Sequence, residues 1–158
     1  MFNHFDEQGQ AIMVDVSGKQ CTLRTATAQA RVLLKPATLA AILEGSVAKG
    51  DVLGVARLAG IAAAKKTPDL IPLSHPLAIH HAAVEFRPDP VTGELMIEAT
   101  VRAFERTGVE MEAMTAASVA ALTVYDMCKG SDKSIAIAEV VLMFKEGGKS
   151  GTYRRGEP

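Results

Sequence analysis

The chain is predicted to adopt an α+β fold of the split βαβ, ferredoxin-like kind: a four-stranded, largely antiparallel sheet with helices packed on one face. Three observations carry this. The element order reads strand, helices, strand, strand, helix, strand. The two middle strands are joined by Asp89-Pro90-Val-Thr-Gly93, a turn signal that makes them a hairpin. A long helix of small apolar residues separates that hairpin from the last strand.

Taken in order, residues 1–20 are polar and Gly-containing and read as an extended arm around Met13-Val14-Asp15-Val16. Residues 27–34 alternate in part and end β-branched, which predicts a strand. Pro36 opens a short helix that Gly45 stops. Asp51 is suited to cap a second helix running to Lys66, with its apolar face at positions 52, 55, 58, 59, 62 and 63. Gly54 and Gly60 cost that helix roughly 1 kcal/mol each against Ala and would admit a close neighbour. Thr67-Pro68 ends it. Residues 69–76 form a loop in which Pro72 and Pro76 bracket His75. Strands follow at 78–86 and 94–104, then the long helix at 109–129 and a last strand at 135–145. Residues 146–158 have the composition of a flexible tail. The strands carry Ala, Val, Ile and Met rather than a clean polar alternation, which predicts oligomer contacts on the face without helices.

Composition bounds the function. A chain of 158 residues is predicted to form one domain, and 48% hydrophobic with 22% charged residues is ordinary for a soluble protein. Net charge is −1, and Trp is absent, so duplex binding through phosphate neutralisation and base-stacking platforms are both disfavoured. Cys21 and Cys128 suggest two reduced thiols rather than a disulfide framework. The start of the chain lacks a secretion signal, and no run reaches the roughly 20 apolar residues of a membrane span. A cytoplasmic protein without membrane or nucleic-acid partners is expected.

Several motifs are candidates for chemistry. Glu110 and Glu112 open the long helix and Lys129 closes it, an order that suits the helix dipole. Asp126 interrupts its apolar run and lies three residues before Lys129, on the same face. A carboxylate and an amine at the end of a buried helix form a proton-transfer pair or an ordinary helix ion pair. His75 is mounted between prolines, as a binding or acid–base histidine requires. His80 and His81 point to opposite faces of a strand and complete no metal set. Lys49, Lys65, Lys66, Lys129, Lys133 and Lys145 are either solvated or, gathered near one rigid histidine, a site for an anion such as a triphosphate. Gly148-Lys149-Ser150 lacks the first glycine and the following helix of a P-loop. Glu112 and Asp126 are separated by about 21 Å of helix at 1.5 Å per residue. If both act, either the ligand is long or the two ends belong to different sites completed by neighbouring subunits, and an interfacial active site is expected.

Taken together, Lys49-Gly50-Asp51, Ala64-Lys65-Lys66-Thr67, Asp69-Leu-Ile-Pro-Leu-Ser-His75-Pro76, Thr107-Gly-Val-Glu-Met-Glu112-Ala, Leu122-Thr-Val-Tyr-Asp126-Met-Cys-Lys129 and Gly147-Gly-Lys-Ser-Gly151 resemble the cyclic pyranopterin monophosphate synthase family of molybdenum cofactor biosynthesis. The resemblance covers about residues 11–151, with the motifs in the family's order. Ser74 departs from it, standing where many relatives have Cys. The resemblance implies conversion of 3′,8-cyclo-7,8-dihydro-GTP to cyclic pyranopterin monophosphate with release of pyrophosphate, by a lyase without a protein-bound cofactor or metal. It leaves room for Mg²⁺ on the substrate triphosphate. It also implies a homohexamer, a trimer of dimers, with interfacial sites. Asp126 and Lys129 match its catalytic pair; Leu73, Ser74, His75, Met111 and Glu112 match its substrate contacts; Lys49, Lys65, Glu110 and Lys145 fall among its further polar positions. Two other classes are weighed against it: a non-catalytic nucleotide-sensing module and a purely structural oligomer.

Overall fold

The computed structural model describes residues 4–157. The main strands are β1 (Thr22–Leu33), β2 (His81–Asp89), β3 (Glu94–Glu105) and β4 (Ala136–Glu146), with a two-residue β5 (Tyr153–Arg154) at one edge. The helices are α1 (Pro36–Leu43), α2 (Val52–Ala64), α3 (Thr67–Leu70) and α4 (Glu110–Cys128). Sheet order is β2-β3-β1-β4-β5 and every neighbouring pair is antiparallel. This is the α+β, ferredoxin-like arrangement, with β3 inserted between β1 and β2.

The alternation in β1 is cleaner than its residue types suggest. Arg24, Ala26, Ala28, Ala30 and Val32 face α4 and are buried, while Thr27, Gln29 and Arg31 face away. β3 repeats the pattern with Leu95, Ile97, Ala99, Val101 and Ala103 inward. Alanine is a weak strand former, so the pattern is quiet in sequence and β1 begins five residues before the predicted start. The face without helices is polar in its middle, contrary to the apolar face expected: Thr27 meets Thr100 at 2.9 Å, Gln29 donates to Glu98 at 2.8 Å and Arg31 pairs with Glu94 at 3.3 Å.

Small inward residues let the helices sit close. α2 packs on α4 through Ala56, Gly60, Ala63 and Ala64; of the predicted face Val52 and Ala63 are buried, while Val55 and Leu58 point outward. A Cβ at Gly60 would lie 2.9 Å from the Ala116 carbonyl oxygen and 3.3 Å from Ala120 Cβ. Close backbone approach therefore selects the small-residue stripe over the larger one. Gly54 serves otherwise: its N–H donates to the capping Asp51 carboxylate at 2.8 Å. Gly93 (φ 76°) closes the hairpin, where any Cβ would strike the Leu34 carbonyl.

β2 begins three residues late, because the chain is still irregular through His80, and it ends at Pro88-Asp89, which an edge strand tolerates. Beyond Glu146, where composition reads as a flexible tail, Tyr153 and Arg154 pair with Lys145 and Phe144, and Arg155 N–H donates to the Met143 carbonyl at 2.8 Å. No described helix is long and apolar enough to cross a membrane.

Candidate active site

α4 carries a polar cluster at each end. At its start, Glu112 is 2% exposed, and its Oε1 has no hydrogen-bond partner. Burial pushes its carboxyl up from 4.5 to about 7, and the negative charge of Glu110 adds to this. Glu112 lines a hollow of about 370 Å³ together with Leu73, Ser74, His75, Glu110 and Met111. His75 Nε2–H donates to the Val14 carbonyl at 2.7 Å, so the neutral ring keeps Nδ1 as an acceptor. The same bond moors the N-terminal arm, whose His4, Val16 and Lys19 also line the hollow.

A second, larger hollow of about 760 Å³ shares the Thr107-Gly108-Glu110 wall and is lined by Arg24, Arg106, Lys19, Lys145 and Lys149. A bulge in β4 puts Lys145 there: Thr27 pairs with Phe144 and Ala28 with Leu142, so Met143 is extra and Lys145 shares the face of Ala26. Lys145 Nζ donates to Ser150 Oγ. Arg24 is 8% exposed and donates to the Glu105 and Arg106 carbonyls, each at 3.1 Å. Gly148 (φ 72°) passes so close over its guanidinium that a Cβ would collide with it. Gly-Gly-Lys-Ser-Gly thus borders a cationic cavity. Lys19, Arg24 and Arg106 were not singled out from sequence. Arg24 is in period-two phase with Ala26, Ala28, Ala30 and Val32, and that alternation, extended toward the N-terminus, is the signal that could have flagged it.

At the far end of α4, Asp126 stands between two ammoniums. Lys129 Nζ donates to Oδ1 at 2.6 Å, and Lys49 Nζ donates to Oδ2 at 3.2 Å and to the Asp126 main-chain carbonyl at 2.7 Å. The Lys129 and Lys49 hydrogen bonds hold the Asp126 carboxyl below its ordinary value, and the Asp126 bond holds Lys129 above its own. At neutral pH the aspartate is therefore a charged acceptor and the lysine a charged donor. Contrary to the buried helix end that the sequence suggests, the cluster is exposed: Asp126 is 58% exposed and Lys129 51%. α4 is apolar nearly all round, and the sheet and α2 cover only part of it, leaving Leu122, Asp126 and Lys129 on the outer stripe.

The fold therefore gathers Leu73, Ser74, His75, Glu110, Met111 and Glu112 at one end, with Lys145 in the adjoining hollow. It gathers Lys49, Asp126 and Lys129 at the other. Lys65 follows the C-terminus of α2, is exposed and lines neither hollow. Because α2 and α4 run antiparallel, Lys65 lies toward the Glu112 end. Among the described residues no three His, Cys, Asp or Glu side chains converge as a metal site.

Comparison with known proteins bears on the whole of this arrangement. Over 156 residues the chain is 80% identical to the cyclic pyranopterin monophosphate synthase of Geotalea uraniireducens, covering 99% of this chain and 98% of the relative. It is 75% identical over 157 residues to that of Geobacter metallireducens, with coverage of 99% and 98%. Against that of Chloroflexus aurantiacus it is 56% identical over 152 residues, with coverage of 96% and 93%. The MoaC family model matches residues 13–148, a span that includes Glu112 and Asp126 at the two ends of α4 and most of the cationic hollow, and the chain belongs to the MoaC family.

Proposed function

We propose that this chain is a cyclic pyranopterin monophosphate synthase of molybdenum cofactor biosynthesis. It acts in the cytoplasm as a lyase on 3′,8-cyclo-7,8-dihydro-GTP and releases pyrophosphate. The observation that carries the reading is 80% identity over 156 residues to a synthase of that name. The geometry supplies a mechanism. Asp126, kept ionised, accepts a proton during ring rearrangement, and Lys129, kept protonated, donates one. Arg24, Arg106, Lys145 and Lys149 offset the charge of the triphosphate and of the departing diphosphate, with Mg²⁺ able to accompany the substrate. Glu112, His75 and Ser74 hold the guanine-derived end. Lys49 serves Asp126 more directly than the phosphates, since its ammonium is engaged by the aspartate.

One chain cannot bring both ends of α4 to a compact substrate, because they are about 21 Å apart along the helix. The reading therefore includes a homo-oligomer, a hexamer as trimer of dimers, in which one copy's Asp126 end meets another's Glu112 end. The test is diphosphate release from 3′,8-cyclo-7,8-dihydro-GTP by the native chain, Asp126→Asn, Glu112→Gln and an equimolar mixture of the two variants. Release by the native chain, its loss in each variant and partial recovery in the mixture are expected. A native protein that binds the nucleotide and leaves it intact would instead be a sensing module. Absence of recovery in a mixture shown to exchange subunits would place both clusters in separate sites.

A further inference from the structure

We propose that Asp132 is a positioning residue for the Asp126–Lys129–Lys49 cluster, acting through the two chain segments that carry those side chains and, on the catalytic reading of the cluster given above, controlling turnover without touching substrate. Its side chain has no solvent exposure. Each of its hydrogen-bond partners is a donor. Oδ2 accepts from Lys35 N–H and Thr38 Oγ1, each at 3.0 Å, and Oδ1 accepts from Ser134 N–H at 3.0 Å and Ser134 Oγ at 2.5 Å. The Lys35 ammonium lies 3.9 Å from Oδ1. A pocket of donors alone fits a carboxylate; an amide would turn its own N–H groups toward them. Asp132 also supplies what α1 lacks. Lys35 makes no side-chain cap and Pro36 has no N–H, so the helix start is met by a carboxylate from 97 residues further on.

The junction has little slack on either side. Toward α4, Lys129 N–H bonds the Tyr125 carbonyl at 2.8 Å, and Ser131 and Asp132 N–H both bond the Cys128 carbonyl, at 2.9 and 3.0 Å. The carboxylate is thereby tied to the last helical turn, three residues from Lys129. Toward α1, the helix leads through the turns Glu44 N–H to Ala40, Ser46 N–H to Ala41 and Gly50 N–H to Val47 into Lys49. Lys49 then reaches back to Asp126, which closes the circuit. Lysine side chains this exposed carry substantial rotamer freedom, so the backbones that hold them must be fixed if Asp126 is to stay between two ammoniums.

The test uses the full chain in native, Asp132→Asn and Thr38→Val forms. It measures the titration of the Lys129 ammonium by NMR in lysine-labelled protein, together with kcat and KM for diphosphate release. The charged and titratable groups facing Lys129 are Asp126 and Tyr125 on α4, with Lys49 beyond Asp126. Lys129 is expected to titrate at lower pH in both variants. A kcat loss on the order of tenfold is expected for Asp132→Asn and a smaller one for Thr38→Val, with KM changing less than kcat. A folded variant that melts earlier but keeps the native Lys129 titration and native kcat would overturn the proposal and leave Asp132 purely structural. Should Asp132→Asn not fold, Thr38→Val retains the carboxylate and gives the same readouts. Should the native chain release no diphosphate, the Lys129 titration still decides the positioning, and the catalytic reading alone fails.

Discussion

Replacing Glu112 with Gln should stabilise the protein at alkaline pH while removing its activity. The folded chain holds the Glu112 proton to about pH 7, whereas an unfolded carboxyl releases it near 4.5. Between those values folding takes up a proton, so this group's contribution to stability falls as pH rises from about 4.5 to about 7. Above that range the cost is fully present and no longer changes. At about 1.4 kcal/mol per pH unit, the gap corresponds to about 3 kcal/mol. An uncharged amide escapes that cost. It inherits the unpartnered position of Oε1 and adds donors of its own, which returns about 1 kcal/mol of the gain. Urea unfolding at pH 5 and pH 8 measures the difference. The native chain should lose stability between the two, and Glu112→Gln should stay flat across this interval once other groups are common to both. At pH 8 the variant should be the more stable by about 2 kcal/mol. Parallel curves for the two proteins from pH 5 to pH 8 would mean that Glu112 is ionised normally in the fold, and the reasoning from burial would be wrong.

Gly60→Ala should destabilise by about 1–2 kcal/mol, because overpacking against the Ala116 carbonyl outweighs the roughly 1 kcal/mol of helix propensity gained; denaturant midpoints measure it. Gly148→Ala should cost about 1–2 kcal/mol for the left-handed backbone and should raise KM for the substrate, since the Arg24 guanidinium must leave its place; a native KM would count against Arg24 as a phosphate contact. Cys21 is exposed and should react with a thiol reagent in the native state. Cys128 is 2% exposed, with its thiol pushed up by burial and by the nearby Asp132 charge, and should react only on unfolding.

The sequence by itself determined the order and type of the main elements, because their punctuation is local. Pro36 opens α1, Asp51 caps α2 through Gly54, and Asp89-Pro90 with Gly93 closes the hairpin, each acting within a few residues. It also brought Asp126 and Lys129 to one face, since helical spacing alone does this. The motif set pointed to the same family that near-full-length identity to its members establishes. Tertiary structure decided which face of each element is covered. α2 turns its Ala and Gly stripe to α4 because backbone contact there is closer than Val55 and Leu58 would permit. α4 is apolar on nearly every side, so nothing local could show that Asp126 stays exposed or that Lys49, remote in sequence, joins it. The cationic hollow depends on a one-residue bulge in β4, on Arg24 turned inward and on a glycine turn folded over it. Those are contacts between distant segments, and their free energies are set by packing and charge pairing that exist only once the chain has closed on itself.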